Sequence, residues 1–146
     1  MNSFSDEYFM KQAVIEARHA AEEDEVPVGA VIVCKDRIIA RAHNHTERLN
    51  DPTAHAEMLA ITSATGSFGT KYLTSCRIYV TVEPCVMCAG AIGWAQLAAV
   101  IYGAPDEKRG FTRYAPHAFH PKTEVRAGIL EADCADMIKV FFQNRR

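Results

Sequence analysis

The residues of this chain best equipped for chemistry fall in two short runs, Thr53-Ala54-His55-Ala56-Glu57 and, about thirty residues on, Glu83-Pro84-Cys85-Val86-Met87-Cys88. One imidazole and two thiolates form a soft ligand set suited to Zn²⁺, and three protein ligands leave the fourth tetrahedral position open for a water. An open position separates a catalytic zinc from a structural one. Glu57 is not needed as a ligand. Two residues from the histidine, it can serve such a water as general acid and base.

The local elements must bring these side chains together. Pro84 suits the first turn of a helix, where its missing N–H would be unpaired anyway. Cys85 and Cys88 then fall three apart on one face, at the positive end of the helix dipole, which favours their thiolate forms. His55 and Glu57 are separated by about 200° of helical rotation. At the first turn of a helix, however, the histidine can point at a metal while the glutamate folds over the open position. Other readings stand beside this one. An isolated C-x-x-C could be a redox pair, although nothing like a thioredoxin βαβ unit surrounds it. An isolated H-x-E is common on exposed helices. A structural Cys₂His₂ site could recruit His43 or His45, leaving Glu57 without a role. The combination of the two motifs carries more weight than either alone.

H-x-E followed by P-C-x-x-C is the signature of zinc-dependent nucleobase deaminases. The chain resembles the bacterial tRNA adenosine deaminases over most of its length. The similar runs are Glu25-Val26-Pro27-Val28-Gly29-Ala30-Val31, then Asn44, then Asp51-Pro52-Thr53-Ala54-His55-Ala56-Glu57, then Tyr79-Val80-Thr81-Val82-Glu83-Pro84-Cys85-Val86-Met87-Cys88-Ala89-Gly90-Ala91.

Composition is compatible with such an enzyme. At 146 residues the chain is expected to form one domain, spanning residues 1–146, and to bury about two thirds of its unfolded surface. Hydrophobic residues make up 49%, yet no apolar run approaches the ~20 residues of a membrane span. The first residues lack the basic segment and apolar stretch of a signal peptide, so a cytoplasmic location is expected. Five cysteines, two of them in a metal motif, argue against a secreted disulfide framework. Cys34, Cys76 and Cys134 read as core thiols. A net charge of −2 gives no global sign of a nucleic-acid partner. Any RNA contact must therefore use local patches: Lys108, Arg109 and Arg113 in one loop, and Lys139, Arg145 and Arg146 at the C-terminus. Such short clusters are commonly solvated surface.

Along the chain, Phe9, Ala13, Ala17 and Ala20 recur at helical spacing, predicting a helix over 5–23 capped by Ser5 or Asp6. Residues 28–34 and 37–42 read as a hairpin turning at Lys35-Asp36. Asp51-Pro52-Thr53 supplies a helix start, with helix over 54–64 and a break at 65–70. Residues 77–82 form a third strand and 85–96 a helix. The small residues Ala89, Gly90, Ala91, Gly93 and Ala95 in that helix suggest close packing against a neighbour, with the sheet as one candidate. A short strand at 99–102, a long loop over 103–121, a strand at 123–129 and a helix at 131–143 complete the chain. Ile138, Phe141 and Phe142 read as core or rim. This order predicts an α/β fold, a three-layer α/β/α sandwich with a mixed central sheet. The resemblance implies the same, a cytidine-deaminase-like fold.

Residue by residue, the resemblance implies His55, Cys85 and Cys88 as zinc ligands and Glu57 as proton shuttle. It also implies Asn44 and Val28 in the base pocket and main-chain contacts from Ala56 and Pro84. The implied reaction is hydrolytic conversion of the wobble adenosine of a tRNA anticodon to inosine, with one zinc per chain and ammonia released. A homodimer is implied as well, whereas neither a membrane nor a further protein partner is. Two segments depart from the family pattern. Trp94-Ala95-Gln96 stands where many members carry a polar residue, a small residue and an arginine, and related guanine deaminases have a tryptophan there. Residues 108–117 replace a Gly-Ser-containing loop with basic and aromatic residues that could stack on single-stranded RNA. Both segments bear on dimer contact or substrate access. Two further hypotheses therefore stand: deamination of a free base or nucleoside of guanine or cytosine type, and a non-catalytic zinc-stabilised RNA-binding module. His43, His45, His117 and His120 have no assigned role.

Overall fold

The computed structural model describes residues 5–145. Its elements are α1 (Asp6–Glu22), β1 (Gly29–Cys34), β2 (Arg37–His43), α2 (Ala56–Phe68), β3 (Cys76–Val82), α3 (Val86–Ala95), β4 (Ala99–Ala104), α4 (Phe111–Tyr114), β5 (Glu124–Arg126) and α5 (Glu131–Gln143). The five strands form one sheet in the order β2-β1-β3-β4-β5. β1 pairs antiparallel with both β2 and β3, whereas β3, β4 and β5 run parallel. This is the mixed sheet expected.

Strand alternation divides the core into two layers. Ala30, Ile32, Ile78, Val80, Val100 and Tyr102 face α2 and α3, packing on Ala56, Ala60, Ala64, Ala89 and Ile92. Val31, Val33, Tyr79 and Ile101 face the opposite way, onto Phe9, Met10 and Ala13 of α1 and Cys134 of α5. β1, β3 and β4 are covered on both faces, which is why they read as continuous apolar runs. Helices on both faces make the three-layer sandwich. No helix among the described residues is long and apolar enough to cross a membrane.

Several boundaries follow from local chemistry. Ser5 caps α1 by accepting from Tyr8 N. Lys35 and Asp36 both adopt positive φ, 52° and 61°, the mirror-image turn that suits a tight hairpin. α2 runs through Gly66 and stops at Gly69, whose φ of 69° is the left-handed cap, so the helix is longer than the sequence suggests. β5 is only three residues long, shorter than the strand expected over 123–129. The loop expected over 103–121 begins instead with the end of β4 and contains α4, whose Phe111 is buried beside Tyr102 and Phe119. Phe141 is half-buried and Phe142 exposed, placing them at the rim.

The small residues of α3 do not all serve the sheet. Ala89 and Ile92 face it, but a Cβ on Gly93 would sit 2.5 Å from the carbonyl oxygen of Ala118, in the 115–119 segment. Among the described residues no atom lies near the missing side chain of Gly90, and Trp94 is 84% exposed. The outer face of α3 is therefore open. Cys34, Cys76 and Cys134 are buried, as expected of core thiols.

Candidate functional site

Two helix N-termini meet at the ends of β3 and β4. α2 begins at Ala56 and α3 at Val86, so His55 and Cys85 are both N-cap residues with extended backbones, and neither side chain caps its helix. This corrects the sequence reading, which placed both inside a first turn. Asp51 accepts instead from Thr53 N and Oγ1, at 2.8 and 2.7 Å, closing a turn ahead of the helix. Pro84 lies just before the cap of α3. The correction has a chemical use: an N-cap side chain not bonded to the backbone is free to turn inward.

They turn toward one another. His55 Nδ1 lies 3.7 Å from Cys85 Sγ and 3.5 Å from Cys88 Sγ. A tetrahedral zinc held at about 2.3 Å from sulfur and about 2.05 Å from nitrogen separates those donors by about 3.6 Å. Donor types and spacing both fit such an ion. No second histidine joins this group among the described residues, which removes the Cys₂His₂ reading. His43 instead has its ring nitrogens against Glu16 and Glu23.

The charge state of the cluster suits a cation. The hydrogen bond from the Cys88 thiol, and after it that from His55, holds the Cys85 thiol down to about 4 despite its burial. The Cys88 thiol is pushed up by the same bond to Cys85 and by burial. The contact with Cys85 likewise raises His55. Two sulfurs and an imidazole crowded together thus share protons that a metal would displace.

Glu57 is the second helical residue of α2 and is 3% exposed. Burial pushes its carboxyl up, to about 7. It lines a pocket of about 250 Å³ together with His55, Ala56, Cys85, Val28, Asn44 and Arg109. That volume lies below the roughly 300 Å³ where pockets for drug-sized ligands begin, and suits a small ligand group. Asn44 is 7% exposed, and its backbone N–H donates to Val28 O at 3.1 Å. Pro84 is not part of the lining. Its carbonyl accepts from Phe111 N at 2.9 Å, tying α4 to the site.

Two buried carboxylates were missed as site residues. Glu83, 5% exposed, accepts from Asp106 N at 3.1 Å, Thr112 N at 3.0 Å and Thr112 Oγ1 at 2.7 Å. It ties the 106–112 loop, which carries Arg109, to the end of β3. Gly110 is required there because a Cβ would strike the Glu83 carboxylate. Glu25, 1% exposed, accepts from Glu47 N at 3.0 Å and Arg48 N at 2.7 Å, holding the loop that bears Thr46 on the other side of the pocket. The available signal was an acidic residue beside an apolar strand in each quoted run.

The basic patches separate. Lys108 and Arg109 line a groove beside the mouth with Cys85, Val86, Met87 and Tyr114. Arg145 is engaged elsewhere, bonded to Asp24 at 2.8 Å and stacked on Phe141 at 4.2 Å. Arg146 lies outside the described residues.

The model of the cytidine and deoxycytidylate deaminase zinc-binding region matches residues 3–104. The tRNA-specific adenosine deaminase of Agrobacterium fabrum is 42% identical over 144 residues, covering 95% of each chain. A solved tRNA:A34 deaminase, described in work on A-to-I editing at the wobble position of transfer RNA, superposes with a TM-score of 0.83 at 42% identity, over 89% of this chain and 98% of that one. A guanine deaminase from Bacillus subtilis superposes with a TM-score of 0.66 at 44% identity, over 72% and 66% of the two chains. With the geometry of the His55, Cys85, Cys88 group, the buried glutamate and these matches together, the chain belongs to the cytidine and deoxycytidylate deaminase family of zinc-binding deaminases.

Proposed function

We propose that this chain is a zinc-dependent hydrolytic deaminase that converts the wobble adenosine of a tRNA anticodon to inosine with release of ammonia. The observation that carries this reading is a buried Glu57 beside the His55, Cys85, Cys88 group in a pocket of about 250 Å³. The extent of the match to tRNA-specific adenosine deaminases selects the substrate.

His55 Nδ1 and the sulfurs of Cys85 and Cys88 would hold the zinc. When bound, it supplies a Lewis acid that makes water nucleophilic near neutral pH. Glu57 takes the proton from that water and hands it to N1 of the adenine as C6 is attacked. It then carries the second proton to the departing amine. The balance is one water consumed and one ammonia released per inosine formed. Burial suits Glu57 to this shuttle, because a carboxyl with its pKa raised toward neutrality both accepts and returns a proton readily. Asn44 offers a donor and an acceptor to one edge of the base. Ala56 contributes main chain to the wall, and Val28 an apolar one. Pro84 acts instead through Phe111, as a support for α4.

Lys108, Arg109 and Tyr114 beside the mouth provide two cations and a stacking face for the single-stranded loop around the flipped nucleotide. The chain acts in the cytoplasm as a homodimer in this reading. The open face of α3, with Trp94 at 84% exposure, is the surface a second copy would cover.

Guanine deamination is the second reading, favoured by the likeness to the Bacillus subtilis enzyme and by Trp94. The test offers zinc-loaded protein an anticodon stem-loop with a wobble adenosine and, in parallel, free guanine, cytosine and adenosine. Inosine in the stem-loop alone is the expected result. Xanthine from guanine with the stem-loop untouched would overturn the RNA reading and leave the zinc chemistry standing. No turnover of anything, with RNA still bound, would favour the non-catalytic module.

A further inference from the structure

Outside the pocket, metal-ligating side chains gather, among the described residues, where the second half of α1 meets the end of β2. Glu16 and His19, one turn apart on α1, face His43, the last residue of β2. Glu16 Oε1 lies 3.3 Å from His43 Nδ1, and Glu16 Oε2 lies 3.9 Å from His19 Nδ1. The other nitrogen of His43, Nε2, is 2.9 Å from Glu23 Oε1. The ring also stacks on His45 with centroids 4.5 Å apart. Its orientation is therefore fixed from two sides.

Both ring nitrogens of His43 face carboxylate oxygens. When Nε2–H donates to Glu23, the shorter contact, Nδ1 directs its lone pair at the Glu16 carboxylate. Two electron-rich atoms 3.3 Å apart call for a cation between them. Zinc donors at about 2.0–2.1 Å from the ion stand about 3.3 Å apart in a tetrahedron. A histidine whose far nitrogen is held by a carboxylate is also the usual arrangement of a metal-bound imidazole.

We propose that Glu16, His19 and His43 form a second site for a divalent transition metal, with Glu23 orienting His43 from outside. Two imidazoles and a carboxylate suit Zn²⁺ and its neighbours Cu²⁺ and Ni²⁺. The three ligand atoms lie within 4.8 Å of one another. The His19 side chain is half exposed, so it is free to swing the remaining distance inward, whereas those of Glu16 and His43 are only 11% and 13% exposed and already placed. Arg41 Nη1 stands 3.9 Å from Glu16 Oε2, and Arg48 pairs with Glu23 at 2.9 Å. These guanidiniums compete for the carboxylates, so this site fills after the cysteine-containing one. His43 directly precedes Asn44, and a metal here pins α1 to the strand end that carries the pocket asparagine. The rival account is an imidazolium at His43 bridging both carboxylates with no metal.

Zinc counting separates the two. Untagged protein is equilibrated with zinc buffered in the micromolar range, and zinc per chain is measured by elemental mass spectrometry and by stepwise removal with a chromogenic chelator. The expected result is two zinc ions per chain, one released at much weaker chelation than the other. His19→Ala, at a half-exposed position where folding is not at stake, removes the weakly held ion and leaves the tight one and the circular dichroism unchanged. Glu16→Gln does the same. A single zinc per chain in the unmodified protein overturns the proposal in favour of the imidazolium, and so does a second zinc that persists in the H19A/E16Q double variant.

Discussion

Replacing Glu83 with Gln tests whether the 106–112 loop is held by one buried carboxylate. Its two oxygens receive three donors: Asp106 N on Oε1, and Thr112 N and Oγ1 on Oε2. An amide keeps only one oxygen. Set toward Thr112, which preserves two bonds, it turns its NH₂ against Asp106 N–H and leaves that donor facing another donor. An unsatisfied buried donor costs about 1–3 kcal/mol, and the two surviving bonds lose their charge-assisted component, about 0.5–1 kcal/mol each. The total is about 2–4 kcal/mol once non-additivity within one network is allowed for. For a chain of this size that lowers Tm by roughly 5–15 °C. Denaturant unfolding reads the first number and a thermal scan the second. Zinc content should stay unchanged, because Glu83 touches none of the three candidate ligands. A variant within 0.5 kcal/mol of the parent would refute the reasoning, since it would mean that water satisfies these donors as well as the carboxylate does.

Glu25→Gln faces the same arithmetic through Glu47 N and Arg48 N, and should cost about 2–4 kcal/mol while raising KM for RNA more than it lowers kcat; equal KM in steady-state kinetics would contradict it. Asp6 supplies a pH test. Burial would raise its carboxyl, but hydrogen bonds from Arg126 and Tyr79 outweigh this and hold it below the ordinary value. Its stabilisation is therefore complete above the ordinary aspartate range near about 3.9 and is lost as pH falls through the lower folded value. Asp6→Asn should cost about 1–2 kcal/mol at neutral pH, reduced by partial exposure, and the difference from the parent should shrink in that acid window in denaturant titrations. Trp94→Glu should shift the proposed dimer toward monomer in sedimentation experiments without loss of zinc, and an unchanged sedimentation coefficient would place the interface elsewhere.

The parts of this molecule that were legible in sequence are those where one physical rule acts locally. β1, β3 and β4 declared themselves by apolar runs, and α1 by the spacing of Phe9, Ala13, Ala17 and Ala20, all buried. That His55, Cys85 and Cys88 come together was legible because the two motifs in combination carry more weight than either alone. The starts of α2 and α3 were placed two residues and one residue early, because Asp51 and Pro52 carry strong start signals but serve a turn, while His55 and Cys85 occupy cap positions without capping. α4 was invisible because its four residues are held by tertiary contacts, Phe111 in the core and Thr112 on Glu83, and not by any periodicity. Glu25 and Glu83 illustrate the same limit. Nothing in a one-dimensional pattern tells a surface acid from one buried at the base of a loop it holds. The Glu16, His19, His43 cluster likewise joins residues 24 and 27 positions apart across a helix–strand contact.

The central claim is that Glu57 moves the protons of a zinc-assisted deamination in this pocket. The direct measurement is the single-turnover rate of inosine formation in a wobble-adenosine stem-loop, comparing the parent with Glu57→Gln, with zinc per chain determined on the same samples. The account predicts a rate loss of about 10²–10⁴ or more with zinc undiminished at the cysteine-containing site and RNA affinity little changed. Comparable rates in the two proteins would contradict it.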